Sequence, residues 1–379
     1  MPSLHWIGKE AVVNPHRTVP FHLLRDVPEL SVGEPGAGNL IVQGDNLVAL
    51  KALLPYYAGQ VKCIYIDPPY NTGNEGWIYN DNVNSPEIKA WLGKVVGSEL
   101  EDLSRHDKWL CMMYPRLALL AQFLADDGFL FVSIDDIELY RCQLMLQDIL
   151  PPSCFVTSFI WKSRRNLDSR SLHNASIDHE YVLVFRKRDG RLRGAAKDMS
   201  KYSNPDHDPR GPWMSDNLVG LATQERRPNL HYALINPDTG ASYPCSKKGW
   251  RYSRETMAQL IAEGRILWPK KPEGRPRHKK FAKDLKDDFT GFSSFLECGN
   301  TNEGTEELIK ILGEERFIFP KPRALVQALV EQVTTAGDLI MDSFSGTGTT
   351  GHAVLAQNKA DGGHRRFILV EMDPKICRE

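Results

Sequence analysis

Four consecutive residues combine a carboxylate, two prolines and an aromatic ring: Asp67, Pro68, Pro69 and Tyr70. The prolines have a fixed φ and no backbone N–H, and each favours an extended conformation in the residue before it. The segment therefore offers hydrogen-bond acceptors and few donors, and the carboxylate adds further acceptors. Such a turn suits a ligand group that carries N–H bonds, for example an exocyclic amine on a flat ring that Tyr70 covers. A strand-ending turn with a helix-capping Asp67 is an equally open interpretation at this point.

The residues before this turn predict the strand that positions it. The apolar run 61–66 is typical of a strand buried on both faces, as in parallel sheets. A short strand at 39–43 and an amphipathic helix precede it, with Asp45 or Asn46 placed to cap the helix. Such a strand–helix–strand unit is expected to be parallel and right-handed. Open α/β sheets bind ligands at the carboxyl ends of their strands, which is where the turn lies.

A glycine-rich turn near the C-terminus forms a second candidate site. Gly346, Gly348 and Gly351 have the spacing GxGxxG after a predicted strand at 338–342, and Glu371 ends the following strand. In nucleoside-cofactor sites such glycines let the backbone approach the ligand, and the acid binds ribose hydroxyls. The spacing fits NAD, but the turn is rich in hydroxyl side chains and no hydride-transfer residues are visible. An adenosyl cofactor without a pyrophosphate fits at least as well.

Length and charge limit the class of protein. The 379 residues, 41% hydrophobic and 25% charged, predict one large α/β domain joined to a smaller one. With a net charge of −1, a polyanionic partner must be met by a local basic patch. The seven cysteines lack metal-ligand spacing, which predicts no metal site, no disulfide framework and a reducing cytoplasm. Neither a signal peptide nor a membrane span is predicted.

The region between the two candidate sites is not uniform. Residues 71–103 are polar and predict a long loop beside the first site. Residues 189–315 are dense in Pro, Gly, Arg and Lys, with short apolar runs, and predict an inserted domain of mixed or mainly β structure. Periodicity predicts further elements between these two regions: a helix from about Trp109 that ends at Gly128, and strands at 129–134, 155–161 and 181–187.

The two candidate sites together resemble one family. The β-class S-adenosylmethionine-dependent DNA amino-methyltransferases have similar motifs in this order, the catalytic one first. The matching segments here are Asp67-Pro68-Pro69-Tyr70 and Asp342-Ser343-Phe344-Ser345-Gly346-Thr347-Gly348-Thr349-Thr350. Three further segments resemble in particular the modification subunits of type III restriction systems. These segments are Gly44-Asp45-Asn46-Leu47, Ile64-Tyr65-Ile66 and Asn71-Thr72-Gly73.

This resemblance implies a fold and a domain order. The fold is α/β and Rossmann-like, with a mainly parallel sheet, a circularly permuted motif order and an inserted target-recognition domain. The implied parts are an N-terminal arm at 1–38, a catalytic half at 39–188, an inserted DNA-binding domain at 189–316 and a cofactor-binding half at 317–379. The cofactor half is expected beside the catalytic half in one sheet. Relatives usually continue past the last residue of this chain, so part of the DNA clamp or subunit interface is expected to be missing.

The resemblance also implies roles for single residues. Asp67 and the Pro68 carbonyl would accept the two hydrogens of an adenine N6 amine, and Pro69 and Tyr70 complete the motif, with Tyr70 stacking on a flipped-out base. Aspartate at position 67 is typical of adenine-specific members, whereas serine or threonine is typical of cytosine-specific ones. Helix capping explains Asp45 as well as a cofactor contact does. The residues implied to bind the cofactor are Asp45, Asp67, Lys321, Pro322, Asp342, Phe344, Ser345, Gly346, Gly348, Thr349 and Glu371.

Two clusters of basic residues are candidates for contact with DNA. The segment 265–283 holds eight lysines or arginines against one acid, with Trp268 and Phe281 between them. Such a segment is commonly a solvated charged loop, but beside a DNA-modifying site phosphate contact is favoured. The candidate DNA-binding residues are Arg164, Arg165, Lys270, Lys271, Arg275, Arg277, Lys279 and Lys280.

The sequence therefore predicts a site-specific DNA methyltransferase acting on adenine N6, with S-adenosylmethionine as cofactor. The expected partners are double-stranded DNA, a restriction (helicase–nuclease) subunit and a second copy of the chain, with no membrane. Four alternatives stay open: an N4-cytosine methyltransferase, an enzyme that acts on RNA or a free amine, a non-catalytic nucleic-acid-binding module, and an NAD enzyme. The DNA sequence recognised is not readable from the inserted region.

Overall fold

The structure is a computed structural model that describes residues 4–14, 19–34, 36–72, 105–169, 172–271, 273–314, 317 and 319–377. Most of the loop expected at 71–103 lies outside these residues. The chain forms two compact units, one of Met1–Gly194 with Phe292–Glu379 and one of Ala195–Gly291. Within the described ranges, no helix has the length and apolar character needed to cross a membrane.

Strands and helices are numbered along the chain. The strands are β1 Leu40–Gln43, β2 Val61–Ile66, β3 Leu124–Ile134, β4 Phe155–Trp161, β5 Glu180–Arg186, β6 Ala195–Ala196, β7 Trp213–Asp216, β8 Leu234–Ile235, β9 Ser242–Tyr243, β10 Ile266–Leu267, β11 Arg277–Phe281, β12 Phe289–Thr290, β13 Phe295–Leu296, β14 Leu339–Asp342 and β15 Arg366–Glu371. The helices are α1 Lys9–Val12, α2 Asn46–Tyr57, α3 Arg105–Phe123, α4 Leu139–Ile149, α5 Arg254–Ala262, α6 Thr301–Leu312, α7 Arg323–Val333, α8 Thr349–Asp361 and α9 Pro374–Cys377.

One mixed sheet organises the larger unit. Its strand order is β1-β15-β14-β2-β3-β5-β4-β13. The first five strands are parallel to their neighbours, and β5 runs antiparallel to both β3 and β4. Cys63 in β2 lies opposite Ile340 in β14. The expected α/β fold with a mainly parallel sheet is confirmed, and the two halves that are distant in sequence are neighbours in the sheet.

Both faces of the sheet are covered by helices, as the apolar run of β2 predicts. Ile64 and Ile66 belong to a buried cluster with side chains of α2, α3 and α4. Cys63 and Tyr65 point to the opposite face and join a second cluster with side chains of α7 and α8. Alternate residues of one strand therefore contribute to two cores, which explains why β2 is apolar at every position except Lys62.

The end of α3 differs from the sequence-based expectation. The helix was expected to end at Gly128, but it ends at Phe123 and β3 begins at once with Leu124. Leu124 pairs with Val61, so strand pairing replaces helical bonding there. A Cβ added at Gly128 would lie 2.8 Å from the Val61 carbonyl oxygen. Gly128 therefore permits close strand approach and does not end a helix.

Among its described residues, the smaller unit contains short strands, one α-helix and three short 3-10 helices around its own core. Its sheets are β10-β11-β7, β12-β6 and β8-β9. Trp250 and Met257 are buried at its centre. This unit is shorter than the inserted domain expected at 189–316. Residues from Phe292 onward belong to the larger unit because Phe295 in β13 pairs with Ile160 in β4, which extends the main sheet.

Candidate functional site

The cleft of interest lies where the order of the sheet reverses. From β14 the chain proceeds to β15 on one side, whereas from β2 it proceeds to β3 on the other. In open α/β sheets, ligands bind at the carboxyl ends of strands at such a switch point. A cleft with an empty volume of about 1030 Å³, including open solvent at its mouth, occupies this place.

Residues from both candidate motifs line this cleft. The sequence-predicted residues in its walls are Asp45, Asp67, Pro69, Lys321, Asp342, Phe344, Ser345, Gly346, Thr349 and Glu371. Pro68, Tyr70, Pro322 and Gly348 are not among the lining residues. Pro322 precedes α7 and Gly348 precedes α8 with a φ of +78°, so both shape the helix starts behind the cleft.

The turn after β2 is fixed by its neighbours. The indole N–H of Trp109 donates to the Pro69 carbonyl at 2.6 Å. The hydroxyl of Tyr70 donates to Oε2 of Glu180 at 2.9 Å, and the Tyr70 ring is buried. Within the part of the chain that the structure describes, no hydrogen bond to the Pro68 carbonyl is found. The Pro68 carbonyl therefore keeps its acceptor capacity next to Asp67 in the chain, although Pro68 is buried and does not line the cleft.

The carboxylate of Asp67 is paired with a lysine from the distant cofactor half. Nζ of Lys321 lies 3.0 Å from Oδ1 and 2.9 Å from Oδ2 of Asp67. Burial raises the pKa of Asp67, and the Lys321 ammonium opposes that rise. Burial likewise disfavours the charged Lys321, but Asp67 and Glu180 outweigh it and raise the lysine pKa. A cofactor contact was expected for Lys321, and the structure places its ammonium on Asp67.

The glycine turn is held in a shape that exposes its backbone to the cleft. Both the amide and the hydroxyl of Ser345 donate to the Val370 carbonyl, at 3.2 and 3.1 Å. The amide of Gly346 donates to Oε2 of Glu371 at 2.9 Å. Gly346 has a φ of +50°, in the left-handed region that favours glycine. Its absent side chain keeps the turn open next to Phe317, whose ring carbon would lie 3.3 Å from a Cβ.

Two buried carboxylates border this turn. Burial raises the pKa of Glu371 to about 7, although three backbone N–H groups lower it. Burial also raises the pKa of Asp342 to about 7, against hydrogen bonds from the Thr350 hydroxyl and the Phe344 amide. Both groups therefore change charge near neutral pH.

The raised pKa of Asp342 predicts a pH-dependent effect on stability. An acid whose folded pKa lies above its unfolded value stabilises the fold at low pH and loses that contribution as pH rises through the folded value. For Asp342 this window runs from about pH 4 to about pH 7. Asp342→Asn cannot ionise and keeps a carbonyl acceptor for the Phe344 amide. We expect it to gain about 2–4 kcal/mol over wild type between pH 4 and pH 8.

Thermal or denaturant unfolding of both proteins at several pH values measures this gain. The comparison at pH 4 controls for packing changes, because both side chains are neutral in the folded protein at that pH. An offset between Asp342→Asn and wild type that stays constant with pH would contradict the prediction.

Asp45 serves as a helix cap and also lines the cleft. Its Oδ1 accepts from the amides of Leu47 and Val48 at 2.9 and 3.2 Å, which caps α2 as the sequence suggests. Its Oδ2 accepts from the guanidinium of Arg116 at 2.9 Å. Arg116 is buried and also contacts Asn46, so it links α3 to the start of α2. Capping and a place in the cleft wall are compatible for this residue.

The basic candidates divide into exposed and buried residues. Within the smaller unit, Lys270, Lys271, Arg275 and Arg277 are exposed, and Lys280 is half-buried. In the larger unit, Arg164 and Arg165 are exposed, and Arg164 pairs with Asp168 at 2.7 Å.

Lys279 does not suit the phosphate contact expected for it. Its ammonium is buried and lies 2.5 Å from both Asp206 and Asp208. The ring of Phe281 is fully buried beneath the Arg210 guanidinium. These side chains hold the smaller unit together because alternate residues of β11 face its interior.

Sequence reasoning missed two residues that organise the site. Glu180 begins β5 and accepts from both Tyr70 and Lys321, yet no role in the site was predicted for it. A single acid at the start of an otherwise apolar strand was the available signal. Trp109 was predicted only as the approximate start of a helix, although its N–H donates to the Pro69 carbonyl and fixes the turn after β2. Nothing in helical spacing distinguishes such a tryptophan from a packing residue.

The chain is similar to known proteins along most of its length. A family model described as DNA methylase matches residues 61–379. The Mod subunit of the type III restriction-modification enzyme StyLTI from Salmonella typhimurium is 33% identical over 89% of this chain and 53% of its own length. The EcoP15I Mod subunit from Escherichia coli is 28% identical over 98% of this chain and 64% of its own length. The type II methyltransferase M.KpnI from Klebsiella pneumoniae is 30% identical over 88% of this chain and 81% of that protein. The chain thus spans between half and two-thirds of these type III relatives.

Proposed function

Because the chain belongs to the DNA methylase family, we propose that it transfers a methyl group from S-adenosylmethionine to the N6 amine of adenine in DNA. The observation that carries this proposal is the pairing of Asp67 with Lys321. An N–H donor already lies within 3.0 Å of both carboxylate oxygens. The Asp67 carboxylate, which lines the cleft, is therefore an acceptor for the N–H groups of an amine.

The chain's residues fit a nucleoside cofactor without a pyrophosphate. Bound S-adenosylmethionine supplies an electrophilic methyl group on a sulfonium sulfur. Glu371 would accept hydroxyl donors of a ribose, and Phe344 and Phe317 offer apolar surface for an adenine ring. The hydroxyl of Ser343, also in the cleft wall, is buried with no hydrogen-bond partner among the described residues. This unsatisfied group suits a polar ligand.

The catalytic turn would activate a weak nucleophile. The lone pair of the N6 amine is delocalised into the purine ring. If Asp67 and the Pro68 carbonyl accept its two hydrogens, the nitrogen moves toward tetrahedral geometry and its lone pair becomes available. Positioning and aligned acceptors then supply the rate, with orientation contributing up to about 7–11 kcal/mol. After transfer, the product nitrogen must release one proton, and Asp67 is placed to accept it.

Access to the amine requires that the base leaves the duplex. Enzymes that modify bases flip the target nucleotide out of the helix. The ring of Tyr70 would stack on such a base, an interaction worth about 1–3 kcal/mol. The exposed arginines and lysines of both units, Arg164 and Lys270 among them, are suited to contact phosphates.

The names of the relatives also suggest which proteins this chain assembles with. StyLTI Mod is a subunit of a type III restriction-modification enzyme. We infer that this chain represents the methyl-transferring part of such a modification subunit, that it works with a restriction subunit, and that two copies associate. A protein that methylates cellular DNA must work in the compartment that contains the DNA. The reducing cytoplasm predicted from the cysteines agrees with this requirement.

The deciding experiment identifies the methylated nucleoside. Protein, S-adenosylmethionine and unmethylated plasmid DNA are incubated, and the DNA is digested to nucleosides for mass spectrometry. We expect N6-methyldeoxyadenosine with wild-type protein. N4-methyldeoxycytidine would contradict the assignment of adenine. No methylated nucleoside despite measurable cofactor binding would contradict the transfer itself.

A further inference from the structure

Four side chains from three segments of the chain meet at the turn after β2: Asp67 and Tyr70 of the turn itself, Glu180 and Lys321. Lys321 lies 2.9 Å from Oδ2 of Asp67 and 3.4 Å from Oε2 of Glu180. Its ammonium also lies 4.7 Å from the ring centre of Tyr70. Glu180 in turn accepts the Tyr70 hydroxyl. One cation is therefore shared by two carboxylates and lies over the ring of Tyr70, with the ring of Trp161 farther away at 5.9 Å.

The Lys321 ammonium contacts the same two groups that the substrate is proposed to contact. The proposed function needs both the carboxylate of Asp67 and a face of Tyr70 for the target base. In the structure Lys321 occupies both, since it donates to the carboxylate and lies over the ring. A target amine can engage Asp67 fully only if the ammonium moves away.

We propose that Lys321 holds the place of the target amine on Asp67 before the substrate binds and moves onto Glu180 when that amine arrives. Lys321 and Glu180 are then positioning residues, because they act on the substrate through Asp67. This inference rests on the proposed function, because Lys321 and Glu180 are argued to keep the Asp67 carboxylate ready to accept the amine.

The lysine is placed to make this short movement. Its Nζ is already within 3.4 Å of Glu180, so a small rotation of the side chain exchanges one carboxylate for the other. The main chain is held on the C-terminal side of Lys321. The hydroxyl of Thr349 donates to the Lys321 carbonyl at 3.3 Å, and Pro322 precedes α7. Only the end of the side chain needs to move.

The charges of Lys321 and Glu180 explain why both residues lie beside Asp67. Two carboxylates in a buried site repel each other, and Lys321 compensates for part of that repulsion. Among the described residues, Tyr65, Tyr70 and Asp342 also face Asp67, and Asp135 faces Glu180; each of these two aspartates adds negative charge when it is ionised. Without Lys321, Asp67 would tend to bind a proton and lose its acceptor role. Without Glu180, Lys321 would have no second partner and would stay on Asp67.

A double-mutant cycle tests the exchange. The proteins are wild type, Lys321→Met, Glu180→Gln and the double variant. Glutamine at 180 can still accept the Tyr70 hydroxyl, so the ring stays in place. We expect each single change to lower kcat at pH 7 about tenfold or more, with a smaller effect on KM for DNA. The double variant is expected to be faster than Lys321→Met, because Asp67 then faces neither a second carboxylate at 180 nor a competing cation.

The pH profile separates this role from a purely structural one. The rate of Lys321→Met is expected to recover as pH rises, because Asp67 must then lose its proton without help from a cation. Lys9→Met is the matched control, since Lys9 also pairs with an acid, Asp148 at 2.7 Å, and lies over a ring. Its rate and pH profile should match those of wild type.

Melting temperatures of the same proteins supply a readout that does not need activity. Lys321→Met should melt lower at pH 8 than at pH 5 relative to wild type, and adding Glu180→Gln should restore part of the loss at pH 8. Additive losses in both rate and melting temperature would overturn the inference. A wild-type protein that transfers no methyl group, yet shows this coupling in melting, would instead refute the proposed function alone.

Discussion

Replacing Asp67 with alanine should abolish methyl transfer while S-adenosylmethionine still binds. The change removes both oxygens that an amine substrate would contact, so the loss in kcat is expected to be about 10²–10³-fold or more. The fold should tolerate the change, because Lys321 keeps Glu180 as an ion-pair partner at 3.4 Å. The residues around the glycine turn, which would bind the cofactor, are not altered.

Incorporation of labelled methyl groups into DNA measures the transfer, and calorimetric titration measures cofactor binding. Asp148→Ala serves as the control, since this acid forms an ion pair with Lys9 and does not line the cleft. Full activity of Asp67→Ala would remove Asp67 from the mechanism. Loss of cofactor binding together with activity would indicate that Asp67 shapes the cofactor site instead.

The second large effect is expected at Glu371. Its carboxylate accepts from the Gly346 amide and would accept the ribose hydroxyls of the cofactor. Hydrogen bonds to a charged group contribute about 1.5–3 kcal/mol, so Glu371→Ala should weaken S-adenosylmethionine binding about 10–100-fold. Because burial raises the pKa of Glu371 to about 7, wild-type affinity should fall as pH decreases below 7.

The sign of this pH effect follows from the charged form being the better acceptor. Below its pKa the group is mostly protonated, and affinity should fall by at most about tenfold per pH unit. Dissociation constants between pH 5.5 and 8.5 measure the effect for wild type and Glu371→Gln. The variant should bind more weakly with a nearly flat profile, and the exposed control Glu331→Gln should keep the wild-type profile. Equal pH profiles for wild type and Glu371→Gln would assign the titration to another group.

Local sequence patterns predicted the main sheet well. The apolar runs at β2 and β15 and the strand before the glycine turn correspond to observed strands, and Asp45 caps α2. These features depend on periodicity and on capping within a few residues, which a single sequence displays. The adjacency of β2 and β14 followed from the family resemblance, since no local pattern shows which strands pair.

The contacts inside the site were less accessible from sequence. Lys321 lies 254 positions from Asp67, and no spacing rule joins them. The same limit applies to Lys279. Its neighbours in sequence indicate an exposed basic segment, but its partners Asp206 and Asp208 lie in the loop before β7. Ion pairs of this kind are set by packing, so their partners emerge only from the tertiary structure.

The boundaries of the inserted unit illustrate a further limit. Composition changes near residue 189 and again near 316, but the compact unit runs from Ala195 to Gly291. The residues after Gly291 have a polar, irregular composition, yet β13 adds a parallel strand to the main sheet. A two-residue strand carries too little periodicity to be recognised without its partner.

The pairing of β2 with β14 has a consequence for how the chain folds. Cys63 and Ile340 are neighbours in the sheet although about 280 residues separate them. Contacts between such distant segments form slowly, because a long loop must close before they are gained. Until β14 arrives, one edge of β2 has no partner and can recruit other chains. The cleft between the two strands is therefore expected to be among the last regions to form. A ligand that binds only the completed cleft favours the folded chain by mass action, so a supply of cofactor during synthesis should increase the yield of folded protein.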